Sequence, residues 1–367
     1  MQEDFHYYAT YCAAYLAGYD HEESMDIAYS AQFVDLCSKT LLSKIKAPAI
    51  AATTQLQLEM MDSRTDMIGL QDITRIWSSF HFLPRDLYSV KAHRTKRYMH
   101  KYRLICGPNG DLVTKTVELA KGRSLQSVGI AMHVVADTWA HANFAGTPSL
   151  VINNTTDDFF ELITDADGKE IEKKIVFRHN LSAPDDLEKS IYTNSLFQRK
   201  ENTIMNLGHG RAGHLPDYSF ARYRYMPSWN DYKVIIKDNP SDYWHAFCQL
   251  VYALKYLRGD IDEFKTENYA FDTVAPYEER IKNIIEKRQL LASDDWKAFG
   301  QDLSGQTIED FDIDKYQSEY VTAGEADKAD TYIGRFVDGA IAHKIMVSHE
   351  IYISHNKLAG LVQEKTK

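Results

Sequence analysis

A mainly α-helical fold with a small β-hairpin insertion is the class this sequence predicts. Apolar residues recur at helical spacing near both ends and in the middle of the chain, while one short interval around residues 159–178 changes to a strand-like texture. No internal repeat, heptad run or low-complexity segment competes with that pattern. At 367 residues, 44% hydrophobic and 26% charged, the chain has the make-up of a soluble globular protein able to bury a large core.

Residues 4 to 46 read as two helices. The first carries Phe5, Tyr8, Cys12 and Tyr15 on one face and stops at Gly18. The second follows Asp20, with Glu23 three residues on as in a capping box, and runs towards Lys46 before Pro48. Residues 48 to 112 read as irregular, with Pro84 and the turn Gly107-Pro108-Asn109-Gly110. A buried helix is expected from Ser124 to Phe144, between Gly122 and Gly146. The β-hairpin pairs Phe159–Thr164 with Lys174–Arg178 across Asp165–Gly168, inside an insertion spanning about 151–205. Asp165 and Asp167 imitate the start of a calcium loop, but the rest of that pattern is missing, so they read as a turn. Helices are expected again over 240–258, 270–299 and 330–362, and the last carries His343, His349 and His355 at a spacing that shares no face. Those three histidines read as ordinary core or surface residues. Residues 1–260 form the expected functional domain, with 261–367 as a helical extension packed on it.

Charge and cysteines narrow the function. A net charge of −10 disfavours long-range capture of nucleic acid or anionic membrane without excluding a local basic patch, so no stable nucleic-acid complex is expected. Cys12, Cys37, Cys106 and Cys248 are scattered and form no C-x-x-C pair, which reads as reduced, buried thiols. No apolar run approaches the roughly 18 residues of a membrane span, and no secretion signal is visible. A cytoplasmic location is the expectation.

The strongest chemical signal is His133-x3-Asp137-x3-His141 within Val128–Phe144. Each step is an i, i+4 move, so the three groups share one helix face, and their apolar neighbours argue that the helix is buried nearly all round. A buried carboxylate between imidazoles is costly unless a positive charge compensates it. At about 1.5 Å rise per residue, His133 and His141 lie roughly 12 Å apart at Cα, too far for one ion. Asp137 is therefore expected to bridge two ions, with one histidine on each.

Other contexts supply further ligands. His6 lies among aromatics in Asp4-Phe5-His6-Tyr7-Tyr8, and Asp35 follows Ala28, Ala31 and Gln32 on a helix face where an unpaired carboxylate would be expensive. His81 is wedged between Phe80 and Phe82 before Pro84. The glycine-rich run from Gly208 to Asp217 offers His209, His214 and Asp217, nitrogen and oxygen donors suited to zinc, without showing which histidine binds. The plain alternatives are packed or capping histidines and a salt-bridged acid. H-E-x-x-H, adjacent His-Asp, G-x-S-x-G and Walker A motifs are all missing.

These segments, in this order over roughly residues 1–260, resemble an uncharacterised bacterial family distantly similar to zinc-dependent phospholipase C and P1-type nuclease. The resemblance implies a multi-helix domain holding zinc ions (Zn2+), two or three in number, between helices. Asp35, His81, His133 and Asp137 would hold one ion, and His141, Asp217 and one of His209 or His214 a second. His6 with Asp137 would contribute to a third. The resembling enzymes also use the freed amine and carbonyl of a processed N-terminal tryptophan, for which this chain shows no counterpart, and they often use H-x3-E where His214-x2-Asp217 stands here.

The expected activity is metal-dependent hydrolysis of a phosphodiester in a phospholipid, nucleotide or nucleic acid. Asp35 and Asp137 are the catalytic candidates, and Arg211, Arg222 or Arg224 would hold a phosphate oxygen. A metal-stabilised binding or scaffold protein and a hydrolase of non-phosphate bonds are the competing readings.

Overall fold

The structure is a computed structural model that describes residues 1–63, 67–164, 167–178, 183–194 and 207–356. It is mainly helical, with one small antiparallel sheet and one parallel strand pair. The chain enters through a π-helical turn, Asp4–Ala9, that continues as α1, Thr10–Leu16. Such turns are rare and concentrate at functional sites. The capping box is present at α2, His21–Phe33, where Asp20 accepts from the Glu23 amide and Glu23 accepts from the Asp20 amide. α2 stops thirteen residues before Lys46, and α3, Lys39–Lys44, is a separate helix capped by Ser38. The intervening turn carries Asp35 off the helix face on which the sequence placed it.

Residues 48 to 112 are not irregular. They hold α4, Gln57–Ser63, α5, Met67–Phe80, α6, Lys96–Tyr102, and the first residues of α7, Asp111–Ala120. α8, Leu125–Ala140, is the centre of the molecule, with every residue from Gln126 to Ala140 buried. It packs against α2, α7, α10 (Asn239–Arg258) and α15 (Tyr332–Ile353). Gly129 permits the α2 contact, since a Cβ there would lie 2.4 Å from the Ile27 carbonyl oxygen. The close approach brings the end of α2 beside His133.

A short α9, Leu150–Asn153, leads into the sheet. Strand β1, Phe160–Thr164, does form a hairpin, but its partner is β2, Glu170–Lys174. The apolar stretch expected as the return strand is β3, Val176–Arg178, which pairs in parallel with β4, Ile191–Thr193. The sheet extends beyond the insertion to β5, Arg222–Tyr225, and β6, Ile235–Asp238, in the order β2-β1-β5-β6. Asp165 lies outside the described residues.

The expected 270–299 helix is broken into α11, Phe271–Val274, α12, Glu278–Glu286, and α13, Ser293–Ser304. α14, Gln317–Thr322, precedes α15. Residues beyond 260, among them Trp296, Phe299, Phe336 and Val347, join Phe5, Ala28 and Val134 in a single apolar core. His349 on α15 and His355 just beyond it are exposed, while His343 is buried and donates to the Ser79 carbonyl at 2.8 Å. α15 ends at Ile353 with Ser354 as its C-cap, short of the expected 362, and residues 357–362 lie outside the described residues. No helix among the described residues is long and apolar enough to cross a membrane.

Candidate metal centre

α8 presents Asp137 at the middle of the cluster, and helix ends and loops bring the other groups to it. His6 comes from the π turn, Asp35 from the turn after α2, and His81 from the residue after α5. His141 is the C-cap of α8, whose last residue, Ala140, comes four before the expected Phe144. His209 and Asp217 belong to the loop before β5, which crosses Phe82 so closely that a Cβ on Gly208 would overlap its ring. Asp137 is 1% exposed.

Its two oxygens face different partners. Oδ1 lies 3.1 Å from His6 Nε2, and Oδ2 lies 3.2 Å from both His81 Nδ1 and His133 Nε2. Asp35 approaches the same side, 3.6 Å from His81 Nδ1 and 3.9 Å from His133 Nε2. His141 Nδ1 is 3.5 Å from Asp137, and its Nε2 is 3.1 Å from Asp217 Oδ1. His209 Nε2 is 3.5 Å from Asp217 Oδ2. Three groups result that could hold a metal ion: His6, His133 and Asp137; Asp35, His81 and His133; and His141, His209 and Asp217. His209 rather than His214 completes the third group. His214 sits at the rim, 3.8 Å from Asp217 with its side chain 55% exposed.

The far nitrogens of four of these histidines fix their tautomers. His133 Nδ1 donates to the Ala31 carbonyl at 2.9 Å, and His81 Nε2 to the Thr53 carbonyl at 3.0 Å. His141 Nδ1 donates to the His81 carbonyl at 2.6 Å, and His209 Nδ1 to the Gly213 carbonyl at 2.7 Å. A neutral imidazole has one N–H, so the other nitrogen of each ring turns a lone pair into the cluster. Backbone carbonyls orient metal-binding histidines in the same way.

The inward atoms therefore repel one another. His81 Nδ1, His133 Nε2 and Asp137 Oδ2 all carry lone pairs and lie 3.2 Å apart in all three pairings. A positive charge among them resolves the conflict. Nitrogen and oxygen ligands about 2.0–2.1 Å from a tetrahedral zinc stand roughly 3.3 Å from each other, which these separations match. His6 adds a buried Nδ1 without a hydrogen-bond partner. The donor set, imidazole and carboxylate with no thiolate, fits zinc and other first-row divalent metals better than magnesium or calcium.

Electrostatics follow from burial and crowding. Burial pushes the Asp137 carboxyl up, but His141, the terminal ammonium, His133 and His6 together hold it well below its usual range. Asp217 behaves likewise, with burial outweighed chiefly by His209 and the ammonium. Burial, then the neighbouring His133, lowers His6 to about 4, and burial lowers His209 to about 4, so both are neutral near pH 7. The Met1 ammonium is itself buried, 2.7 Å from Asp137 and 3.3 Å from Asp217, and these carboxylates outweigh its desolvation and raise it to about 11. It supplies positive charge to the cluster in this structure.

A match over residues 1–351 decides the family. The chain belongs to DUF6765, a family of unknown function. No curated protein and no solved structure matches it. The DUF6765 match covers every residue of the cluster and α15 as far as Ile351, so the N-terminal ligands and the C-terminal helices lie within one family unit.

All nine residues expected from the sequence converge here, with His214 at the edge. Two of the three arginines expected to hold phosphate are engaged by the sheet. Arg222 pairs with Glu170 and Asp238, and Arg224 pairs with Glu172 through two nitrogens. The sequence shows an aromatic pocket at His81 but neither the reach of Phe82 to His141 nor the four orienting carbonyls, which leave no side-chain signature. Phe82 stacks on His141 with ring centres 4.6 Å apart, and Trp77 leans on His81 at 4.9 Å. Aromatics adjoin only His6 and His81 in the sequence, so the stacking of Phe82 on His141 had no local signal.

Proposed function

We propose that the cluster binds two or three zinc ions and that the protein is a metal-dependent hydrolase of phosphodiesters. The observation that carries the metal reading is the set of four histidines whose far nitrogens are tied to carbonyls while their lone pairs meet around two buried carboxylates. The phosphodiester reading rests on the order of ligands shared with the phospholipase C and P1-type nuclease pattern.

Bound zinc would lower the pKa of a coordinated water to near 7 and neutralise charge on phosphoryl oxygens. The chain's own residues divide the remaining work. Asp137 would help hold more than one ion, because its two oxygens face different histidines. Asp35, with its side chain 29% exposed, is the most open carboxylate of the set and accepts the proton of the attacking water from the solvent side. Phe82 and Trp77 exclude water from behind His141 and His81.

Elemental mass spectrometry on protein purified without chelator, followed by assay on bis(p-nitrophenyl) phosphate, tests the proposal. Two or three transition-metal ions per chain with turnover lost on chelation support it. Retention of metal without hydrolysis of lipid, nucleotide or nucleic-acid phosphodiesters would leave a metal-stabilised binding protein instead. A chain that takes up no zinc refutes both.

A further inference from the structure

The segment from Arg85 to Arg103 holds seven Lys and Arg residues and one acid, a net of +6 in a chain whose total is −10. It leaves the site wall directly after His81 and returns to it. Pro84 bridges Cys106 and Ile105 bridges Ala145, so both feet of the excursion stand next to the loop that follows His141. Lys101 on α6 donates to Thr147 of that loop at 3.1 Å. The charge concentration and the metal cluster therefore share one side of the molecule.

Internal pairing leaves much of this charge uncompensated. Lys91 and Arg94 are paired with Asp231. Among the described residues no carboxylate forms an ion pair with Arg85, Lys96, Arg97, Lys101 or Arg103, although Arg97 and Lys101 are i, i+4 neighbours of like charge. Two large apolar side chains stand out at the start of the same segment, Val90 at 79% exposure and Tyr88 at 60%. Isolated exposed apolar residues are ordinary, but an aliphatic and an aromatic beside an unpaired cationic cluster are the elements of an interfacial anchor.

We propose that this excursion is a docking face for an anionic lipid bilayer, with Lys96 and Arg97 drawn to headgroup phosphates and Val90 and Tyr88 entering the headgroup boundary. Charge complementarity selects an anionic surface. The aromatics favour a bilayer over nucleic acid: Tyr98 is stacked on Tyr102 and covered by the Arg94 guanidinium 4.8 Å from its centre, which leaves little ring face for a base. Docking here would set the cluster's side of the molecule against the membrane whether or not the cluster is a hydrolase.

Sedimentation of the full chain with vesicles tests this without relying on catalysis. Vesicles of phosphatidylglycerol mixed with phosphatidylcholine are expected to bind at least about tenfold more tightly than phosphatidylcholine alone, and less as salt rises. K96E/R97E should abolish that preference with thermal unfolding and metal content unchanged. The equal charge change in K44E/K265E should leave most of it, and V90S should weaken binding a few-fold. Equal binding to both vesicles, no binding, or equal loss in the two charge-reversal variants overturns the proposal. So does retention on duplex DNA, relieved by K96E/R97E, without vesicle binding.

Discussion

Asp137 and Glu161 are both buried carboxylates, each 1% exposed, and their surroundings are opposite in kind. Glu161 on β1 is met by donors alone: the two terminal nitrogens of Arg288, the Tyr192 hydroxyl at 3.0 Å and the Ser190 hydroxyl at 2.8 Å. Those donors satisfy it and tie β1 to β4 and the segment after α12. At Asp137 the protein's side chains bring nitrogens that face inward with lone pairs, and only the terminal ammonium brings a fixed cation. A carboxylate that closes a structural network is given its hydrogens by the chain. One that is left among acceptors is arranged for a cation from outside.

The largest expected effect breaks the second arrangement. Asp137→Asn keeps the shape but removes the buried charge that, on the proposed function, would join the ion positions. The variant should lose at least one ion per chain by elemental analysis. Any phosphodiester turnover should fall by more than about a hundredfold, since even residues that only orient metal ligands are worth 10–100-fold. Chelated wild type and chelated variant should unfold at similar denaturant concentrations. Full metal content in the variant would show that Asp137 is not the bridge.

Breaking the first arrangement should give the reverse pattern. Arg288→Met leaves Glu161 buried without its cation and should cost about 3–5 kcal/mol in urea unfolding. The metal content should not change. If metal were lost while stability held, the assigned roles of the two carboxylates would be exchanged.

The same contrast extends to histidines. His343 has a donor role and a carbonyl partner, and among the described residues no carboxylate pairs with it, while His133 acts on it through charge. Burial, partly offset by the bond to Ser79 and reinforced by His133, lowers it to about 4 from a usual value of about 6.5. Between these values the unfolded chain binds the proton and the folded chain does not. Its contribution is therefore fully present above about 6.5 and is lost as pH falls towards about 4. His343→Gln, which keeps a donor for Ser79, should flatten the acid limb of a urea-midpoint profile. An unchanged limb would remove His343 as a cause of acid lability.

How much of this was legible depended on how local each signal was. His133, Asp137 and His141 could be read because successive i, i+4 steps on one helix fix their relation before any tertiary contact is known. Asp35 does reach the cluster, but its sequence context placed it on a helix that ends at Phe33, since nothing in its neighbours marks the turn. α5 was missed although Leu70, Ile73, Ile76, Trp77 and Phe80 repeat at helical spacing, because the short, polar α4 and α6 on either side gave the region an irregular texture. The hairpin was found with the wrong return strand: β2 is Glu-Ile-Glu-Lys-Lys, too charged to look like a strand, and apolar β3 drew the assignment instead. The carbonyls of Ala31, Thr53, His81 and Gly213 fix the ligand tautomers, yet any residue type supplies a carbonyl, so sequence reading has no purchase on them.

The smallest expected effect is the most discriminating about how Glu161 is satisfied. Ser190→Ala removes one hydroxyl donor at 2.8 Å while Arg288 and Tyr192 remain. If the carboxylate is held by redundant donors, the loss should be about 1 kcal/mol, the ordinary net worth of one hydrogen bond. If each donor is indispensable in this dry setting, the cost should approach that of Arg288→Met. Combining Ser190→Ala with Tyr192→Phe separates the two cases through a double-mutant cycle: with indispensable donors the double variant is little worse than either single one, whereas with donors that back one another up it loses at least the sum of the two. Metal content should stay unchanged in all three proteins: the network at Glu161 already has its hydrogens, and no cation from outside has a place in it.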